Sequence, residues 1–141
     1  MEFKVLKHNR LPESEKITSV SGIIVDSENN ILTIELIRRG WDIPGGHVEV
    51  EDETIEHTLK REVFEEAFIE IKDLKISSVI ESYHYTEVTY MIIMTGVVDK
   101  VHSFQVNNES LQRKFITPSE LLEKFQGDKE ILKQIINRAI L

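Results

Sequence analysis

The chain has 141 residues, of which 40% are hydrophobic and 30% charged, a balance typical of one globular domain with a hydrophobic core. It contains no cysteine, which excludes disulfides, thiolate metal sites and a cysteine nucleophile. Its formal net charge of −8 argues against a general surface for nucleic acid or anionic membrane. We therefore expect a single domain over residues 1–141, and an acidic protein of this kind can still act on a polyanion if divalent cations screen the charges.

The sequence shows no targeting or membrane signal. The N-terminal segment MEFKVLKHNR alternates charged and apolar residues and lacks the apolar core of a signal peptide. The longest apolar run, Tyr90 to Met94, is far too short to span a bilayer. Together with the absence of cysteine, which is compatible with a reducing compartment, this predicts a cytoplasmic location.

The first part of the chain is predicted to be mainly β-structure. Alternating or β-branched apolar residues indicate strands at residues 2–6, 17–26 and 31–37. The polar turn at residues 26–30 predicts that the last two strands form a hairpin. Residues 38–46 (RRGWDIPGG) are rich in glycine and are predicted to be a loop whose backbone can approach a ligand closely.

The rest of the chain adds helices around further strands. Thr54 is a candidate N-cap for a helix that runs to about Ala67. Residues 117–120 (TPSE) form a capping box with proline at the first helical position, and Asp128 can cap a last amphipathic helix. Strands are expected near residues 74–85, 87–100 and 111–116. Strands before and after a central helix, with helices at the end, predict an α/β or α+β sandwich.

The helix that follows Thr54 carries carboxylates on its apolar side. At about 100° per residue, its apolar stripe consists of Ile55, Leu59 and Val63. Glu62 and Glu66 flank this stripe, and Glu65 lies at the margin of the same face. Buried carboxylates are rare unless they are paired or bound to metal, and like charges four residues apart repel. The pattern predicts a cation beside these side chains; the alternative is an acidic helix with a solvated face and no ligand.

Several segments together resemble a known family. Residues 61–66 (REVFEE), with Glu53 eight positions before Arg61 and Gly45-Gly46 further upstream, are similar to the Nudix box of the MutT-like Nudix hydrolases. The flanking segments that resemble the family are residues 41–49 (WDIPGGHVE) and 111–121 (LQRKFITPSEL). The resemblance covers most of the chain. It implies a Nudix-type α/β/α sandwich with a mixed sheet and a central loop–helix–loop catalytic motif.

The resemblance also implies an activity, which is hydrolysis of a diphosphate linkage in a nucleoside-diphosphate-linked substrate such as a nucleoside triphosphate or related nucleotide. The implied cofactor is Mg²⁺, with Mn²⁺ as an alternative, because hard cations take oxygen ligands and neutralise a polyphosphate. The expected partner is a small nucleotide-type molecule, and the family often forms homodimers. The alternative is a catalytically silent Nudix-like domain that binds nucleotides as a regulatory module.

The carboxylates of the helix receive roles by the same resemblance. Glu62, Glu65 and Glu66, with the carbonyl of Gly46, are the implied metal ligands. Either Glu65 or Glu66 is the implied general base. Glu109, in a later loop, is a further candidate for that role or a surface residue.

Arg61 and Glu53 are implied to form a pair that holds the loop against the helix. The spacing departs from the usual pattern here, because one extra residue separates Gly46 from Glu53. A second departure lies at the end of the helix, where Phe68 replaces the usual glycine. A residue other than glycine in a left-handed cap costs about 1 kcal/mol. We therefore expect the helix to end differently, a residue later.

Candidate substrate contacts lie outside the box. Arg38 and Arg39 either meet phosphates at the mouth of the loop or form a solvated basic pair. Tyr85 follows the box at the spacing where some dinucleoside-polyphosphate hydrolases of the family carry a tyrosine. Trp41 either stacks on a base or packs beneath the loop. No motif in these residues identifies which nucleotide is bound.

Overall fold

The computed structural model describes residues 2–140 and contains, over that range, eight β-strands and three α-helices. Their bounds are β1 (Glu2–Val5), β2 (Ile17–Val25), β3 (Ile31–Leu36), β4 (Gly40–Asp42), β5 (Gly45–His47), α1 (Ile55–Ala67), β6 (Ile69–His84), β7 (Glu87–Val101), β8 (Ser110–Ile116), α2 (Pro118–Lys124) and α3 (Lys129–Ile140). The predicted strands and helices are confirmed. Two differences remain. β6 begins directly after α1, which is earlier than predicted, and the predicted glycine-rich loop contains the short strands β4 and β5.

The strands form one mixed sheet in the order β1-β6-β7-β2-β3-β4. β2 runs parallel to β7, whereas the other neighbours along this path are antiparallel. The predicted hairpin of β2 and β3 is paired where Val25 faces Ile31. Further along, β5 pairs with β2, and β8 pairs with β3. β5 therefore holds Gly45 and Gly46 against β2, inside the sheet.

Helices cover both faces of this sheet. α1 packs through Leu59 into the core on one face, whereas α2 and α3 pack through Leu121 and Leu132 into the core on the other. Ile23 and Ile24 are consecutive in β2 and join opposite cores, as alternation along a strand requires. This arrangement confirms the predicted α/β/α sandwich with a mixed sheet.

Local sequence explains where the helices begin. The hydroxyl of Thr54 accepts a hydrogen bond from the backbone N–H of His57 at 3.1 Å and caps α1. α2 begins with the predicted capping box, in which Thr117 accepts from the N–H of Glu120 at 3.2 Å. Asp128 accepts from two backbone N–H groups in the first turn of α3.

Over residues 2–140, none of the helices has the length and apolar character that a membrane crossing requires.

The end of α1 differs from the expectation. α1 ends at Ala67, and Phe68 itself adopts the left-handed conformation with φ of 58° and ψ of 41°, so the prediction of a later end is wrong. Tertiary contacts offset the cost of this conformation. The Phe68 ring centroid lies 5.9 Å from that of Phe64 and 5.7 Å from that of Phe104. Arg113 donates a hydrogen bond to the carbonyl of Ala67 at 2.7 Å.

Candidate active site

Two glycines bring the backbone of β5 against the carboxylates of α1. The N–H of Gly45 donates a hydrogen bond to Oε1 of Glu66 at 2.9 Å. A Cβ on Gly45 would lie 2.5 Å from the carbonyl oxygen of Val20, and a Cβ on Gly46 would lie 2.4 Å from the carboxyl carbon of Glu62. Position 45 requires glycine, because the clash would involve the backbone of β2. At position 46 a Cβ would instead displace the carboxylate of Glu62, which can rotate away. Glycine at these positions therefore allows β5 to approach β2 and the Glu62 carboxylate closely.

Glu66 is a buried acid, 3% exposed, at the end of α1. Burial disfavours its charged form and raises its pKa to about 8; the hydrogen bond from Gly45 opposes this shift. The charges of Glu62 and Glu109 raise the pKa further, and Arg39 lowers it slightly. A bound cation would relieve this concentration of negative charge, as the helix pattern predicts.

Glu62 is half-buried one turn before Glu66. Burial raises its pKa, although Arg61 opposes the shift by donating a hydrogen bond to Oε1 at 2.8 Å. Glu65 and Glu109 add repulsion that raises the same pKa. Glu62, Glu66 and Glu109 therefore share one region of negative potential.

Arg61 holds the β5–α1 loop against the helix, as predicted, but its partner is not Glu53. Its Nε and Nη2 donate to the two carboxylate oxygens of Asp52 at 3.1 and 2.8 Å, which is the bidentate geometry that guanidinium and carboxylate favour. Nη2 also donates to the carbonyl of His47 at 3.1 Å. The prediction of an Arg61–Glu53 pair is therefore wrong: Glu53 is exposed, and Asp52 occupies its expected place.

The loop residues around Asp52 explain why it takes this place. Its side chain is 1% exposed, and Oδ2 also accepts hydrogen bonds from the hydroxyl of Thr58 and the N–H of Glu49, both at 2.9 Å. The Arg61 guanidinium holds the pKa of Asp52 well below its usual range despite this burial. The spacing from Gly46 to the acid is thus the usual one, and the extra residue lies between the acid and Arg61. Counting forward from Gly46 would have found Asp52.

Glu65, the third predicted metal ligand, is exposed, whereas Glu62 is half-buried and Glu66 is buried. Its side chain is 56% exposed, and its nearest cation is Nη1 of Arg61 at 3.5 Å. Over the part of the chain that the structure describes, no three Asp, Glu or His side chains are already gathered as a metal-binding group. A cation held by all three glutamates would therefore require rotation of the Glu65 side chain.

A cleft of about 500 Å³ opens above the glycines and receives most of the predicted site residues. Its walls consist of Leu36, Ile37, Arg38, Arg39, Gly45, Gly46, His47, Glu49, Glu62, Glu66, Asn108 and Glu109. The basic pair after β3 and two of the acids of α1 therefore line the same space. Glu109, in the loop between β7 and β8, also lines the cleft. Its backbone carbonyl accepts a hydrogen bond from the N–H of Ile37 at 3.0 Å.

Two smaller cavities lie near the cleft, and the sequence predicted neither of them. One, of about 310 Å³, shares Arg38 and Arg39 with the cleft and is also lined by Asp42 and Phe125. The other, of about 200 Å³, is lined mainly by apolar residues of the core that α2 and α3 cover, including Ile43. It therefore lies on the face of the sheet opposite α1, whereas the cleft is lined by acids of α1.

Tyr85 and Trp41 do not line the cleft or these two cavities. Tyr85 lies in the turn between β6 and β7, where its side chain is 94% exposed, so its predicted substrate contact is absent from the cleft. The register pairs His84 with Glu87, which leaves Tyr85 in the two-residue turn between these strands. Trp41 lies in β4, with Nζ of Lys124 in α2 5.3 Å from its ring centroid, as expected of packing rather than base stacking.

Known proteins share this fold and part of this sequence. The NUDIX domain family model matches residues 15–135. A MutT-like protein from Streptomyces ambofaciens is 31% identical over 114 residues, which span 75% of this chain and 67% of the relative. The Bacillus subtilis pyrophosphohydrolase BsRppH has a similar structure, with a TM-score of 0.78 and 21% identity over 96% of this chain and 88% of its own.

Two further solved structures have the same fold. A UDP-X diphosphatase has a TM-score of 0.68 and 19% identity over 93% of this chain and 67% of its own. The NUDIX domain of Shewanella oneidensis NrtR, solved with ADP ribose, has a TM-score of 0.67 and 14% identity over 87% of this chain and 88% of its own. With the family model covering most of the sequence, the chain belongs to the Nudix family and is a hydrolase that acts on phosphorus-containing anhydrides.

Proposed function

We propose that this Nudix hydrolase cleaves a diphosphate linkage in a nucleoside-diphosphate-linked substrate, such as a nucleoside triphosphate or a related nucleotide, with Mg²⁺ as its cofactor. The observation that carries the proposal is the buried Glu66, held by Gly45 at the floor of a cleft with Arg38 and Arg39 at its mouth. An acid of this kind is costly without a cation, and the arginines suit phosphate oxygens.

The donor set suits a hard divalent cation. Nudix hydrolases generally use divalent metal ions, and the side chains here offer oxygen ligands without any thiolate. Glu62 and Glu66, with the carbonyl of Gly46, would hold the ion, and Glu65 would join them after rotation. When bound, Mg²⁺ supplies charge neutralisation for the diphosphate and a more acidic water; Mn²⁺ offers the same coordination chemistry.

The chain's own residues would bind the substrate, hold the loop in place and accept the proton. Arg38 and Arg39 bind the phosphate groups and orient the linkage. Arg61 keeps the β5–α1 loop in place through its bond to Asp52. The general base is Glu65 or Glu66, as the resemblance implies, or Glu109, which also lines the cleft. Comparison of the three Glu→Gln variants identifies the base, since a residue that accepts the proton should dominate the loss of kcat.

The charged cleft supports a substrate with phosphate groups, which would lie beside Glu66 and the Arg38–Arg39 pair. We also propose that residues 1–141 form one cytoplasmic domain, which dimerises and binds neither nucleic acid nor membrane.

A hydrolysis screen tests the function directly. Purified protein is incubated with nucleoside triphosphates, dinucleoside polyphosphates and nucleotide sugars, and phosphate, pyrophosphate and nucleotide release are measured. We expect turnover with Mg²⁺ and its loss in excess EDTA, restored by added Mg²⁺. Turnover that persists in excess EDTA would contradict the metal dependence. Tight nucleotide binding without turnover under any divalent metal would instead favour the silent regulatory module.

Gly46→Ala is expected to reduce activity by about tenfold or more, because a Cβ would displace the carboxylate of Glu62 from its position. The fold should tolerate the change if the Glu62 side chain rotates away, since the clash involves only that carboxylate. Steady-state kinetics and thermal unfolding measured side by side separate the two effects. Wild-type activity in this variant would exclude Glu62, whose carboxylate the Cβ displaces, from the metal site.

A further inference from the structure

A cluster of side chains at the C-terminal end of α1 joins two walls of the cleft. We call Phe68, Phe104 and Arg113 the cap cluster. The rings of Phe68 and Phe104 meet edge to face, with centroids 5.7 Å apart and planes at 85°. The guanidinium carbon of Arg113 lies 5.8 Å from the centroid of the Phe104 ring. The three residues come from α1's end, the β7–β8 loop and β8, so the cluster ties these elements together.

Arg113 acts on the backbone at the end of α1. Its Nη1 lies 2.7 Å from the carbonyl oxygen of Ala67 and 3.4 Å from that of Phe68. None of the ion pairs within residues 2–140 involves Arg113, so its charge faces the negative end of the helix dipole rather than a carboxylate. Glu66 directly precedes Ala67. The backbone that Arg113 holds is therefore the backbone that carries the buried acid.

Phe104 lies in the loop that runs from His102 to Glu109 and therefore in the segment that carries Glu109. At the start of this loop, the backbone N–H of His102 donates a hydrogen bond to the carbonyl of Phe68 at 3.0 Å. At its far end the loop is fastened by the side chain of Asn107, which accepts from the N–H of Glu109 at 2.9 Å. Between these two hydrogen-bonded positions, the Phe104 ring holds the loop through its packing against Phe68. Its packing therefore bears on where Glu109 stands in the cleft.

We propose that the cap cluster is a set of positioning residues for the hydrolysis reaction, which fixes Glu66 and Glu109 relative to each other across the cleft. The inference rests on the proposed function, because it assigns the cluster to that same site. Where a glycine would end the helix without strain, this chain uses a phenylalanine whose ring and backbone are held by partners from β8 and the β7–β8 loop. The end of α1 and the opposite wall are thereby set by one group of contacts.

Arg113→Met tests the first half of the proposal. Methionine keeps the length and apolar stem but removes the donors to Ala67 and Phe68. We expect the Kd for Mn²⁺, followed by the electron paramagnetic resonance signal of the free ion, to rise by about tenfold. kcat should fall by about tenfold while KM changes little, because substrate contacts are intact. Lys114→Met, an exposed change on the same strand, is the matched control and should leave both quantities unchanged.

Phe104→Ala tests the second half in a half-buried loop residue whose truncation should leave the fold intact. We expect kcat to fall by about tenfold as Glu109 loses its fixed position. Val106→Ala, an exposed position in the same loop, is the control. Arg113→Lys, which keeps the charge and can still donate to the helix end, should recover most of the Mn²⁺ affinity.

The outcomes separate this proposal from the proposed function. A folded Arg113→Met protein with wild-type Mn²⁺ affinity and kcat would overturn it, even if its melting temperature fell, because the role would then be structural only. If Arg113→Met does not fold, an unchanged kcat in Phe104→Ala overturns it instead. Wild-type protein that neither binds Mn²⁺ nor hydrolyses any nucleotide overturns the proposed function, and the inference with it.

Discussion

Replacing Glu66 by glutamine is expected to lower kcat/KM by about 10³-fold, within the range that loss of an acid–base or ligand carboxylate produces. The side-chain oxygen of glutamine can still accept the hydrogen bond that Gly45 donates to Glu66. The geometry of the cleft should therefore survive while the negative charge is lost. Steady-state kinetics over a range of Mg²⁺ concentrations measure the effect.

The stability of the same variant provides a second readout. Because glutamine replaces a buried carboxylate, the metal-free Glu66→Gln protein should melt at or above the temperature of metal-free wild type. Added Mg²⁺ should raise the melting temperature of wild type but not of the variant. Glu123→Gln, an exposed change on α2, is the control for charge alone. Undiminished turnover in Glu66→Gln would exclude this residue from the mechanism.

Replacing Asp52 by asparagine is expected to lower the free energy of unfolding by about 3 kcal/mol, because it leaves the half-buried Arg61 guanidinium without its bidentate partner. Glu53→Gln is the matched control one position away. Because Glu53 is exposed, we expect that variant to change stability by less than about 0.5 kcal/mol. Urea denaturation of the three proteins decides between the two acids. A large loss in Glu53→Gln with none in Asp52→Asn would reverse the assignment.

The pH dependence of this difference follows from the direction of the pKa shift. The pKa of Asp52 is lowered in the folded protein, mainly by the hydrogen bond from Arg61. A lowered folded pKa means that the pair stabilises the fold at every pH above the unfolded value of 3.8 and is lost as the pH falls through the folded value. The stability difference between wild type and Asp52→Asn should therefore be constant above roughly pH 5 and shrink in more acidic solution.

The period of the box helix was sufficient to predict where two of its carboxylates lie. Placing Glu62 and Glu66 beside the apolar stripe required only the helical repeat, and the structure buries Glu66 and half-buries Glu62. The helix starts were also predictable from the local sequence, because Thr54 and the Thr117–Glu120 capping box bind backbone groups only a few residues away. The close backbone approach of the glycine-rich loop was also predicted, although the neighbour of Gly46, the carboxylate of Glu62, was not.

Contacts between distant segments decided the rest. Both Asp52 and Glu53 were available to Arg61, and the course of the loop, with Thr58 and Glu49 binding Asp52, selected the former. The left-handed Phe68 is unfavourable by local rules and exists because Arg113, far along the chain, holds the helix end. Tyr85 matched a family spacing but lies at a strand turn away from the cleft.

The sequence by itself determined the element types, the family and the identity of the buried acids, since these depend on residue spacing within single helices and strands. Only the tertiary structure decided which acid binds Arg61, where α1 ends, and that Glu109 and Arg39 face Glu66 across one cleft. Those choices depend on free energies of around 1 kcal/mol per contact, summed over partners from separate segments, and no local pattern contains them.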